Sequence, residues 1–169
     1  SRATESSTKA EKTTTARPSP IAALEASSPK QASFTINVYK LPENIAALPD
    51  YSAFRPTKIL FADKIDLDPS RYRSDLPGLP ESTDGLGLRY MGNFLVTGEG
   101  IFKLRLRSKD GARLHINDKT LIDNDGVHES SEKTGFVHLA EGMHSILVDS
   151  FNSKGAPLLK LSVQGPEGD

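Results

Sequence analysis

The residues best suited to chemistry are the acidic and amide side chains crowded into two turns of the second half. Asp110 precedes Gly111, and Asp123-Asn124-Asp125 precedes Gly126, with His128 two residues further on. Oxygens so close together suit a hard cation or a set of sugar hydroxyls, because calcium takes about six to eight oxygen ligands. Asp110 and Asp123 are therefore the candidate metal ligands. Asp110, Asn124, Asp125 and His128 are the candidate ligand-contacting residues. A competing account covers all of them. Asp and Asn in turns hydrogen-bond their own backbone and tolerate left-handed conformations, and a histidine beside such a loop can simply pin it. The spaced acids and distant Glu of an EF-hand loop are absent.

Other chemistries find less support. There is no cysteine, which removes disulfides, thiolate metal sites and cysteine nucleophiles. His115, His128, His138 and His144 do not fall at a helical metal-ligand spacing, although His138 and His144 flank a turn. No nucleophile elbow, zinc-helix motif or glycine-rich phosphate loop occurs. Glu129 and Glu132 would serve as an acid–base pair only if the fold set them at the right separation. The chain reads as a non-enzyme. Lys103, Arg105 and Arg107 form a basic stripe at alternate positions. That stripe is either a solvated strand face or a contact for an anionic partner such as an acidic polysaccharide.

Strands must position these groups. Phe102, Leu104 and Leu106 alternate with the basic stripe, as a half-buried strand does. Phe34, Ile36 and Val38 alternate likewise, and Tyr39 breaks the pattern. Further strands are expected at Ile59–Phe61, Leu88–Val96, Leu114–Ile116, Leu121–Ile122, Phe136–Leu139, Ser145–Phe151 and Leu158–Val163. Turn signals at Asp110-Gly111, Asn117-Asp118, Asp125-Gly126 and Glu141-Gly142 separate them. The proline-punctuated stretch 42–85 is expected to be loop-rich, with a helical turn at Asn44–Leu48. Short strands with no amphipathic helix between them argue for an all-β antiparallel sandwich or barrel.

Residues 1–32 are rich in Ser, Thr, Ala, Lys, Glu and Pro, and the aromatics begin only at Phe34. This is the composition of a disordered linker, with at most a short helical turn at Ile21–Ala26. Residues 33–169 are the folded domain, long enough to bury a workable core. Lys and Arg number 21 against 22 Asp and Glu, a balance that argues against nucleic acid as a partner. No apolar run approaches the roughly 20 residues of a membrane-spanning helix.

Several motifs then fall in one order. They are Tyr90 with Gly92 and Phe94; Gly100-Ile101-Phe102-Lys103-Leu104; and Ser108-Lys109-Asp110-Gly111-Ala112-Arg113-Leu114-His115-Ile116. Leu121-Ile122-Asp123-Asn124-Asp125-Gly126-Val127-His128, Leu139 to His144 and Leu158 to Pro166 follow. In that order they resemble the PA14 domain, a β-sandwich or barrel module of bacterial toxins, glycosidases and adhesins. The likeness covers residues 86–166, and Leu48-Pro49-Asp50-Tyr51 looks like the lead-in of many bacterial copies. The resemblance implies a non-catalytic binding module of an exported, extracytoplasmic protein, with carbohydrate or another envelope protein as partner. It also implies calcium as a possible cofactor, held in sugar-binding members by two adjacent aspartates. Here Lys109 stands in place of the first. It removes one oxygen ligand and adds a positive charge, which argues against calcium.

Overall fold

The computed structural model describes residues 34–166. The linker at 1–32 and its turn at Ile21–Ala26 lie outside the described residues.

The strands are β1 (Phe34–Lys40), β2 (Lys58–Ala62), β3 (Asp66–Leu67), β4 (Leu86–Val96) and β5 (Gly100–Ser108). They continue with β6 (Ala112–Ile116), β7 (Lys119–Asn124), β8 (Ser131–Leu139), β9 (Gly142–Asn152) and β10 (Leu159–Gln164). A 3-10 turn spans Tyr51–Ala53 and a single helical turn, α1, spans Tyr72–Asp75. Two antiparallel sheets pack face to face, one in the order β2-β1-β4-β9-β6-β7 and the other β3-β10-β5-β8. Of the all-β antiparallel sandwich or barrel expected, two packed sheets form.

Period-two alternation builds the core between the sheets. Phe102, Leu104 and Leu106 of β5 are at most 1 % exposed and meet Ile36, Leu88, Leu114 and Val148 of the larger sheet. Each such side chain contributes about 1.5–3 kcal/mol relative to an exposed position. Asn117 and Asp118 both take positive φ, at 52° and 69°, which is the two-residue turn that matches the twist of a hairpin.

Tyr39 departs from the alternation because the outer face of the larger sheet carries its own small core. Tyr39, Leu41, Tyr51 and Phe151 cluster there. The rings of Tyr39 and Tyr51 stack at 4.4 Å, and the Tyr51 hydroxyl donates to the Ser150 carbonyl at 2.5 Å. Gly87 makes room beneath: a Cβ on it would lie 2.6 Å from that hydroxyl. Burial pushes the Tyr51 phenol well above its ordinary value, so it remains a donor.

Three local expectations need correction. Asn44–Leu48 is not a helical turn. The Ile45 N–H closes one turn onto Pro42, and the Leu48 N–H goes to the Asp125 carboxylate instead. Leu48 precedes Pro49, which disfavours helical backbone there. β8 begins five residues before Phe136. Glu132, Lys133 and Thr134 are exposed on a sheet edge, so no apolar alternation marks them. The loop-rich 42–85 stretch also contains β3 and α1, each too short to show a period.

Candidate functional site

Three connections converge at one end of the sandwich: residues 109–111, 125–130 and 153–158. Asp110 is the knot. Its backbone is left-handed, with φ at 63°, a conformation that Asp tolerates better than most side chains. Asp110 is 2 % exposed, and both carboxylate oxygens accept hydrogen bonds. Oδ1 accepts from the His128 N–H at 3.2 Å. Oδ2 accepts from the Ser153 N–H at 2.9 Å and the Ser153 hydroxyl at 3.2 Å. One carboxylate thus ties all three connections together. Gly111 is required beside it, since a Cβ there would lie 2.3 Å from the Phe151 ring and 2.5 Å from Asp125 Oδ1.

Lys109 completes the knot. Its ammonium donates to the Asn152 side-chain oxygen at 3.2 Å and to the Lys154 carbonyl, and lies 3.6 Å from Asp110 Oδ2. A positive charge carried by the chain itself therefore sits among oxygens from two connections. Asn152 is itself buried and donates onward to the carbonyls of Thr83 and Gly155, at 2.9 and 2.7 Å.

The remaining candidates are brought close but face inward. Asn124 is 2 % exposed and its amide donates to the Ser108 hydroxyl and the Ser131 carbonyl, both at 3.1 Å. The His128 ring nitrogens lie 2.9 and 2.7 Å from the carbonyls of Asn124 and Glu129. Asp125 Oδ1 accepts from the N–H groups of Leu48 and Gly126, at 2.9 and 2.7 Å.

Asp110 and Asp123 do not come together as metal ligands. Asp123 is exposed and pairs with the Arg113 guanidinium at 3.3 Å, and the same guanidinium donates to Asp125 at 3.3 Å. Among the described residues no group of three His, Asp or Glu is arranged to hold a metal. The donor set around Asp110 already carries the Lys109 ammonium and does not fit calcium. His138 and His144 do not meet either. His138 pairs with Glu99 at 3.1 Å, whereas the His144 Nε2–H donates to the Ala140 carbonyl at 2.7 Å. His144 Nδ1 accepts from the Asn117 amide at 2.8 Å.

Arg113, Asn152 and Ser153 were not singled out by the sequence. Arg113 was hidden by a bulge. The turn at Asn117-Asp118 alone would set it opposite Ile122, but the register shifts between Leu114 and His115 and sets it opposite Asp123. Asn152 and Ser153 lie far along the chain from Asp110, and no spacing rule links them.

The PA14 domain family model matches residues 39–169. Comparison with curated proteins gives no match. Among solved structures, a PA14 sugar-binding domain from an RTX adhesin superposes with a TM-score of 0.69 at 19 % identity, covering 82 % of this chain and 92 % of that one. An anti-sigma factor domain-containing protein from Clostridium clariflavum gives 0.65 at 18 %, covering 85 % and 46 %. The PA14 domain of the MpAFP antifreeze protein gives 0.63 at 15 %, covering 86 % and 89 %. At these identities the structures speak for the fold, and the family model speaks for the ancestry. Since that model spans the whole sandwich from Tyr39 onward, and the motifs from Tyr90 to Pro166 sit on its strands and turns in order, the chain belongs to the PA14 domain family.

Proposed function

We propose that this chain is a non-catalytic carbohydrate-binding module of an exported protein, and that it works without calcium. The observation that carries this reading is the Lys109 ammonium, seated between Asn152, the Lys154 carbonyl and Asp110. It holds the loop end in one arrangement without a metal, and a site that is already ordered loses less entropy on binding. Asp110, Asn124, Asp125 and His128 then act as the framework of the loop end. The fold of a sugar-binding domain from an adhesin supports the ligand class. Glycan-array binding with calcium and with EDTA tests the proposal. Equal signals in both conditions are expected, and binding only with calcium would overturn it.

One observation favours a second reading, that of a spacer or docking module for another envelope protein. The Asp110 carboxylate, the Asn124 amide nitrogen and the His128 ring nitrogens are engaged within the fold. Silence across the array, together with retention of a specific envelope protein by the immobilised domain, would favour it.

A further inference from the structure

The outer face of the four-stranded sheet offers a different kind of surface. A groove of about 340 Å³ runs along it, bounded by Lys64 and Asp66 on one side, Arg105 and Arg107 on the floor strand, and Glu132 and Lys160 beside them. That volume lies at the lower end of the roughly 300–1,000 Å³ range of small-molecule sites. Arg105 and Arg107 are two residues apart on β5, so they share one face at a separation of about 7 Å.

The charges around the groove are unequally committed. Lys160 lies 3.1 Å from Asp68 and 3.9 Å from Asp66, and Lys64 lies 4.0 Å from Asp66. Arg71 reaches Asp66, Asp68 and Asp75 at 3.8, 3.4 and 3.2 Å. That corner balances itself. Among the described residues Arg105 pairs only with Glu132, at 3.8 Å, and both side chains are more than 40 % exposed, a geometry in which water leaves little net attraction. Arg107 donates through Nε to the Ser130 hydroxyl at 2.9 Å, and among the described residues no carboxylate lies within ion-pair distance of it. Two guanidinium forks therefore line a groove with most of their donors uncommitted, and such forks match carboxylate and sulfate oxygens in pairs.

The same face continues into an apolar patch. Phe136 is 63 % exposed and Ile101 58 %. Phe136 lies opposite Lys103 on β5, with the Lys103 ammonium 5.8 Å from its ring centre, and Thr134 lies opposite Arg105. An anionic groove ligand that also presents an apolar flank would cover both parts. A sugar ring bearing an acidic group has that combination.

We propose that this face binds an acidic polysaccharide, its carboxylate or sulfate groups held by Arg105 and Arg107 and a neighbouring ring resting on Phe136. The site borders the loop end through the Arg107–Ser130 hydrogen bond but does not rest on the function proposed there. Retention of the whole chain by polygalacturonate, dextran sulfate and neutral dextran in affinity electrophoresis tests it, the first two polymers separating carboxylate from sulfate recognition. The expected result is retention by at least one acidic polymer, weakening as salt rises, and none by dextran. The double variant Arg105→Gln, Arg107→Gln should bind at least about tenfold more weakly with an unchanged melting temperature. Phe136→Ala should weaken binding without changing its salt dependence. Absence of retention at low ionic strength would overturn the proposal. So would undiminished binding by the double variant, or equal binding to anionic lipid vesicles and to a DNA duplex. Lys109→Asp should leave acidic-polymer retention intact, which keeps failure of the groove distinct from failure of the loop end.

Discussion

The loop end and the outer face of the smaller sheet both carry dense charge, but they use it differently. At the loop end Asp110 is buried and its oxygens accept three hydrogen bonds from two other connections. On the sheet face Arg105 and Arg107 are partly or largely exposed and weakly partnered. A buried polar group must be satisfied within the fold, since leaving it bare costs about 1–3 kcal/mol and more for a charge. An exposed guanidinium is under no such constraint. Polar residues in turns are thus claimed first by the backbone, and those at alternate strand positions remain available to a partner.

The sharpest way to break this contrast is Asp110→Ala. It removes the three hydrogen bonds, leaves the Lys109 ammonium without its acid and forces Ala into a left-handed backbone. Chemical denaturation should show a loss of about 3–4 kcal/mol. A loss below about 1 kcal/mol would mean that the carboxylate is not the knot. Asp110→Asn, which keeps one acceptor and the tolerance for positive φ, should cost less.

Tyr51→Phe probes the lead-in segment that lies over the larger sheet. It deletes the donor to Ser150 and should cost about 1–2 kcal/mol in the same measurement. Because burial raises the Tyr51 phenol above 10.0, its neutral form is favoured in the folded state. That stability is fully present below the unfolded value and declines as pH rises beyond it. The alkaline decline should be shallower in the variant.

His115 gives a smaller effect at the acid side. Burial lowers it below 6.5, so the folded state binds fewer protons than the unfolded chain there. Its contribution is present above the unfolded value and lost as pH falls through the folded one. His115→Gln should flatten the stability profile between neutral and mildly acidic pH. A profile identical to the parent's would contradict this assignment. Smallest of all, Arg105→Gln with Arg107→Gln should change stability by no more than about 0.5 kcal/mol, as for exposed positions generally. A larger loss would show that the stripe belongs to the fold.

Much of the sandwich was legible because its strands alternate. β5 and β6 bury their expected residues, and the motif order marks the turns. What escaped had no period to reveal it. β8 opens on exposed edge residues, β3 is two residues long, and Tyr39 looked irregular until Tyr51 was seen to stack on it. The loop end was half legible. Asp110, Asn124, Asp125 and His128 do lie close together. The backbone groups that the Asp110 and Asp125 carboxylates accept from include those of Ser153 and Leu48, distant positions that only the folded chain brings near. Lys109 was visible as a departure from the family's acid pair, but not as the group that bonds Asn152 and Lys154.

The central claim is that the Lys109 ammonium holds the loop end in place of a metal. Melting temperature measured against calcium and EDTA, for the parent chain and for Lys109→Asp, tests it most directly, because a ligand that binds only the folded state raises the melting temperature. The parent chain should be indifferent to both reagents. Lys109→Asp should melt lower than the parent in EDTA and recover with added calcium, since it exchanges the ammonium for a further oxygen ligand beside Asp110, Asn152 and the Lys154 carbonyl. A parent chain that gains stability from calcium and loses it to EDTA would contradict the claim.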